Sequence, residues 1–322
     1  MLPLLSIGNV ILPSRVVLAP MAGVTDAPFR AVVRSFGDLL TVSEMMPGRE
    51  MLAARPRMKR TNEDFSEQHP IAAQIAGCDP AIMAEAACIQ EARGADIIDI
   101  NMGCPAKKIV RGDSGASLMR DLPLATAIIR AVVSATKVPV TVKMRLGWSP
   151  DAINAPELAR IAEDCGASAV IVHGRTRSQF YGGRADWEAI GLVTAAVSIP
   201  VIGNGDVDGG PAAADMMRIS GAGGVMVGRA ACGHPWLPSQ IHAFLENGAS
   251  PPDPSWEEKK GLIIRHYRAM LDYYGERVAV PLARKHLAWY LEGFADAART
   301  RAEIMRLTDP ESVIGKIETL AL

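Results

Sequence analysis

No cysteine pair in these 322 residues stands at C-x-x-C spacing, and no Cys/His cluster has the spacing of a zinc site. The five cysteines, Cys78, Cys88, Cys104, Cys165 and Cys232, are an odd number and lie at least ten residues apart, which argues against a disulfide framework and fits a reducing cytoplasm. A membrane span is excluded as well, because no apolar run reaches ~18 residues. The opening MLPLLSIGNVILPSR has no positive start and is broken by Pro3, Gly8 and Pro13, so it reads poorly as a signal peptide. Charge of either sign is not in surplus. The net charge of −1 excludes retention on nucleic acid by bulk charge and leaves only a local basic face. No GxGxxG joins a strand to a helix, since Gly221-Ala222-Gly223-Gly224 precedes a strand, so a resident dinucleotide is not expected.

What is present is alternation. Eight short β-branched runs recur: RVVLAP (15–20), LLTVSEM (39–45), PIAAQIAG (70–77), DIIDINMG (96–103), VPVTVKMRLG (138–147), ASAVIVHGR (167–175), IPVIGNGDV (199–207) and GGVMVGRA (223–230). Segments such as DPAIMAEAACIQEARG and LPLATAIIRAVVSAT stand between them, apolar at three- and four-residue spacing. Eight near-continuous apolar strands with helices between them predict a closed parallel (β/α)8 barrel; a doubly wound sheet, with five or six strands, is the competitor. Beyond Pro251-Pro252-Asp253-Pro254 the pattern is helical without strands. The expected organisation is therefore a barrel over 1–246 and a small helical domain over 247–322. Positive charges in the tail bunch as Arg265/Arg268, Arg284/Lys285 and Arg299/Arg301, near Tyr267, Tyr273, Tyr274, Trp289 and Tyr290. That mixture suits either an RNA surface or an ordinary amphipathic bundle.

In parallel barrels the chemistry collects at the carboxyl ends of the strands. Those ends here carry Pro20-Met21-Ala22, Glu44, Gln74, Asn101 with Cys104, Lys143 with Arg145, His173 with Arg175, Asn204-Gly205-Asp206, and Gly228-Arg229. Glycines after strands seven and eight, with Arg229 beside them, predict a phosphate site. A phosphorylated ligand whose head meets amides and one lysine suggests flavin mononucleotide. Gln74 would bond its pyrimidine edge, and Lys143 would oppose the negative charge that reduction creates.

At these residues the chain resembles the tRNA-dihydrouridine synthases, closest to the bacterial B-type branch. The resemblance rests on APMAGVTDAPFR (19–30), Gln74 with Gly77, DINMGCPAKK (99–108), VKMRLGW (142–148), VHGRTRSQFY (172–181), NGDV (204–207) and VGRAACGHPW (227–236). It implies reduction of the 5,6 double bond of a tRNA uridine. Hydride would pass from reduced FMN to uracil carbon 6, Cys104 would protonate carbon 5, and NADPH or NADH would recharge the flavin. It also implies FMN contacts from Pro20, Met21, Ala22, Gln74, Lys143, His173, Asn204, Gly205, Asp206, Gly228 and Arg229. Substrate contacts are implied for Asn101, Arg145, Arg175, Lys107 and Lys108, with the uridine flipped out of the RNA to reach them. The loop RGDSGAS (111–117) reads as a flap over Cys104. No metal is expected, and a cytoplasmic monomer is. Two other readings stay open: an FMN barrel acting on a free small molecule such as a dihydropyrimidine, and a non-enzymatic RNA-binding protein on a decayed barrel.

Overall fold

β-Branched runs buried on both faces need helices on one side and a closed interior on the other. The computed structural model describes residues 4–52, 63, 65, 69–292 and 297–320. Its parallel strands are β1 (Val16–Leu18), β2 (Leu40–Val42), β3 (Ile71–Ala76), β4 (Ile97–Met102), β5 (Val140–Arg145), β6 (Ala169–His173), β7 (Val201–Asn204) and β8 (Gly224–Val227). They run in order around the sheet, β8 pairs with β1, and the β2–β3 pairing completes the ring. All eight predicted strands are found, each shorter than its apolar run because the polar residues at the ends belong to the loops. In place of the last residues expected in β2, a two-residue strand, Met46–Pro47, adds to β3.

Among all residues of β1–β8, Lys143 alone is not fully buried. The period of two sends Val17, Ile97, Ile171, Ile202 and Met226 into an apolar plug, closed below by Leu5, Ile7 and Leu12. The same period places Asp99 and Asn101 of β4, Thr141 and Lys143 of β5, and Gln74 of β3 in the interior above that plug. Register puts Gln74 beside Asp99, Asp99 beside Thr141, and Asn101 beside Lys143. Outside the ring a second apolar layer joins strands to helices, with Ile98, Ile128, Leu158 and Met216 among its members.

Among the described residues, four helices follow the barrel: Trp256–Tyr274, Glu276–Tyr290, Ala297–Ile304 and Pro310–Glu318. Ser255 and Glu258 form a capping box at the start of the first. The fourth was not anticipated, although Asp309 before Pro310 is a helix-start signal and Asp309 Oδ2 accepts from Ser312 N at 2.7 Å. Residues 293 and 294, at the end of the second helical pattern, lie outside the described residues. The helices share an apolar cluster that takes in Val32 and Trp236 from the barrel side. Tyr267 and Tyr290 are buried in it, as the bundle reading of the tail has them and the RNA-surface reading does not. Contacts to the barrel converge on the loop and helix after β1. The Tyr274 hydroxyl donates to Asp26 Oδ2 at 2.8 Å, Lys285 Nζ donates to the Gly23 carbonyl, and Phe29 packs on His266 and His286 at 5.7 and 5.5 Å. No helix among the described residues is long and apolar enough to cross a membrane.

His286 is buried with both ring nitrogens lacking a hydrogen-bond partner among the described residues. Burial, with His266 and Lys285 adding repulsion, pushes its pKa from 6.5 to about 2. The folded ring therefore stays neutral while the unfolded ring takes a proton below about pH 6.5, so stability is lost as pH falls through that range. His286→Leu should remove this loss. The stability gained over wild type should grow by about 1 kcal/mol per pH unit between about pH 6.5 and 5, read by urea unfolding. A gain independent of pH would contradict the assignment.

Candidate active site

A line of hydrogen bonds crosses the barrel above its apolar plug. Asp99 Oδ1 accepts from the Thr141 hydroxyl at 2.6 Å, and its Oδ2 accepts from Gln74 Nε2 at 2.7 Å. Gln74 Oε1 in turn accepts from Asn101 Nδ2 at 2.8 Å. That leaves Asn101 Oδ1 facing the chain ahead, where it accepts from Cys104 N at 2.9 Å and Gly103 N at 3.2 Å. A carboxylate only accepts, so it settles which end of each amide points where. Burial pushes Asp99 up to about 6, while Thr141, Gln74 and Lys143 favour its ionised form. Burial lowers Lys143 to about 8, and Asp99 opposes that shift. The two shifts share one origin in burial, and each charge, as the other's counterion, limits the other's shift.

Beyond β4 the chain is held from three sides. Asn101 takes the amides, Ala116 N donates to the Cys104 carbonyl at 3.1 Å, and Arg145 Nε donates to the Gly103 carbonyl at 2.9 Å. Cys104 is half-buried there. The expected flap over 111–117 is only partly free. Residues 111–113 are exposed, whereas Gly115 and Ala116 are buried at the start of the 3-10 turn Gly115–Arg120. Lys107 and Lys108 are exposed on a short helical turn.

A cavity of about 810 Å³ opens at the ends of β5 to β8 and β1. Pro20, Met21, Lys143, His173, Arg175, Asn204, Gly205, Asp206, Gly228 and Arg229 all line it, which unites most of the expected FMN positions. Lys143 Nζ reaches Asn204 Oδ1 at 3.2 Å, and Asn204 Nδ2 is fixed by the Met226 carbonyl at 2.8 Å. Gly205 has φ +117°, and a side chain there would meet Ala185 Cβ at 2.7 Å and His173 Cδ2 at 3.0 Å. His173 is kept neutral. Burial and the cations Lys143, Arg145, Arg175 and Arg229 push it down to about 2. With a guanidinium nitrogen of Arg175 donating to Nε2 at 3.3 Å, Nδ1 carries the ring proton.

Two residues expected at the substrate also bond within the protein. Arg175 is buried and grips Asp206 with two contacts of 2.7 and 2.8 Å and the Gly182 and Gly183 carbonyls at 3.1 and 2.6 Å. Arg145 Nη1 donates to the Thr176 and Phe180 carbonyls at 2.8 and 2.7 Å, so it holds the loop after β6 as well as Gly103. Ala22 and Lys108 line a separate cavity of about 440 Å³ that faces Tyr273 and Tyr274, and Lys107 lines neither. Gln74, Asn101 and Cys104 line neither cavity; the hydrogen-bond line joins them instead. Asp99, Thr141 and Tyr181 were not singled out from sequence. Asp99 stood within DIIDINMG, where a carboxylate inside an apolar strand was the available signal. Tyr181 lines the larger cavity, with the guanidinium of Arg229 at 4.7 Å and that of Arg145 at 5.6 Å from its ring centre.

Asp99→Leu strips the buried Thr141 hydroxyl and the Gln74 amide of their acceptor, at about 1–3 kcal/mol for each orphaned group. Urea unfolding of the cofactor-free protein should show a loss of roughly 2–5 kcal/mol, against about 1 kcal/mol for Thr141→Val. A loss for Asp99→Leu no larger than that for Thr141→Val would contradict the direction-setting role.

Comparison with known proteins adds the lineage. The family model described as Dihydrouridine synthase (Dus) matches residues 17–321. A Rickettsia bellii protein named probable tRNA-dihydrouridine synthase is 49% identical over 315 residues, covering 98% of this chain and 97% of its own. One of the same name from Rhodobacter capsulatus is 49% identical over 316 residues, covering 98% and 97%. The tRNA-dihydrouridine synthase B of Xanthomonas campestris pv. campestris is 44% identical over 308 residues, covering 96% and 93%. Among solved structures, histamine dehydrogenase from Rhizobium sp. 4-9 matches with a TM-score of 0.58 at 13% identity, over 82% of this chain and 50% of that one, a likeness of fold alone. The chain belongs to the dihydrouridine synthase family.

Proposed function

We propose that this protein reduces the 5,6 double bond of a uridine in tRNA, with flavin mononucleotide in the 810 Å³ cavity and NADPH or NADH as the reductant. The observation that carries this reading is that Lys143, Asn204, Gly205, Gly228 and Arg229 converge on that one cavity, with Lys143 in register beside Asn101 on the strand that leads to Cys104. One hydrogen-bond line runs from Gln74 through Asn101 to the amide of Cys104. The donor set suits a phosphorylated flavin. Lys143 offers a cation at the strand end, Pro20 and Met21 offer a low apolar wall, and Gly205, Gly228 and Arg229 offer close backbone and a guanidinium for the phosphate.

Flavin mononucleotide, when bound, supplies the hydride for carbon 6 of the uracil. The chain supplies the rest. Lys143 opposes negative charge in the cavity, and a counterion there is worth several kcal/mol in partly dry surroundings. Cys104 gives its thiol proton to carbon 5, so one hydride and one proton saturate the bond. Asn101 and Arg145 keep the loop bearing that thiol in place from opposite sides. Neutral His173 presents Nδ1–H as a donor without adding charge. The base must leave its stack to reach this depth, and the cavity of about 440 Å³ between barrel and helices gives the RNA a second concave face.

Incubation with NADPH and unmodified tRNA, followed by nucleoside mass analysis, should yield uridine heavier by two hydrogens. Cys104→Ala should lower that yield rate by about 10²-fold or more while leaving flavin content and NADPH-driven bleaching unchanged. Turnover of a free pyrimidine with no product in tRNA would instead support the small-molecule oxidoreductase.

A further inference from the structure

Outside the cavity, cations and rings alternate at the barrel rim. The guanidiniums of Arg120 and Arg177 each lie 4.6 Å from the ring centre of Trp148, and that of Arg177 also lies 5.1 Å from the Phe180 ring. The stack is built rather than incidental. Arg177 N donates to the Gly147 carbonyl and Ser178 N to the Trp148 carbonyl, both at 2.9 Å, which locks the two loops together. Arg145 holds the Phe180 carbonyl from below, and Asn154 Nδ2 holds the Met119 carbonyl at 2.6 Å beside Arg120.

Both guanidiniums lack a carboxylate or other hydrogen-bond acceptor among the described residues, and Arg177 Nε is buried without a partner. A guanidinium lying on a ring keeps its N–H edge free, and its rotamers are already restricted, so a phosphate is bound at little further entropic cost. Phe180 leaves 37% of its surface exposed, enough for a base to stack on. The position is equally specific. Phe180 precedes Tyr181 at the cavity mouth, and Arg120 ends the turn whose Ala116 amide holds Cys104.

We propose that Arg120, Trp148, Arg177 and Phe180 form a platform for the RNA strand flanking the extruded uridine. The two arginines would bind backbone phosphates and Phe180 would carry a neighbouring base. The proposal rests on the tRNA reading above, and it names a surface on the barrel itself rather than on the helical tail.

The test is tRNA affinity by fluorescence anisotropy between about 50 and 200 mM salt. It compares wild type with R120Q/R177Q, which keeps planar side chains and removes the charge, and with R120E at the exposed end, which spares the Arg177 stack. For R120Q/R177Q the salt slope should fall by about one for each lost phosphate contact. Affinity at low salt should weaken roughly tenfold. R120E should weaken it by itself, while the flavin spectrum and the NADPH bleaching rate stay at wild-type values. Steep wild-type binding with unchanged slopes in both variants would overturn the platform and leave the functional reading intact. Slower NADPH bleaching with unchanged tRNA affinity would overturn it in favour of a dinucleotide site. Wild type that does not bind tRNA would overturn the functional reading and the platform with it.

Discussion

A buried group that can only accept hydrogen bonds gives direction to everything bonded to it. Asp99 has that role at the centre of this barrel, with Thr141 on one oxygen and Gln74 on the other. Each amide in the line could rotate end for end with little change in shape, but rotation would set donor against donor, and an unmet buried polar group is costly. The orientations of Gln74 and of Asn101, whose oxygen takes the Cys104 amide, therefore have one cause. Burial of the carboxylate is tolerable because Lys143 stands in the same interior, and the lysine keeps its charge partly because of Asp99.

Above that floor the structure separates two tasks. The ends of β5 to β8 build a cavity with fixed donors, in which Arg175 and Asp206 brace the loop after β6 against the loop after β7. The loop after β4 carries Cys104 between the cavity side and the turn that leads to Arg120. The helical segment grips a different part of the rim, through Asp26, Gly23 and Phe29. His266, His286, Tyr267 and Tyr290 are buried in its packing, and His286 carries a cost that appears only when the solution becomes acid.

Much of this was legible in the chain. The eight strands could be read because parallel barrel strands are buried on both faces and so are apolar almost without interruption. The expected cofactor positions lie at strand ends, and Lys143, Asn204, Gly205 and Arg229 among them line one cavity. What could not be read depends on partners distant in sequence. The ion pair of Arg175 with Asp206 cannot be read from the sequence, because the turn of the barrel brings the two together. Tyr267 and Tyr290 look like RNA stackers until the helices fold over them. Asp99 looks like an irregularity in an apolar strand until register sets it beside Gln74 and Thr141. The Trp148 stack joins loops from three parts of the chain, and no local pattern announces it.

The central claim is that one site holds a flavin, accepts reducing equivalents from a nicotinamide and passes them to tRNA. Visible absorption of the purified protein tests all three steps, with NADPH and then unmodified tRNA added under anaerobic conditions. A flavin band that bleaches with NADPH and returns with tRNA is the result expected. A band that bleaches and ignores tRNA, or a protein with no flavin band at all, would contradict the account.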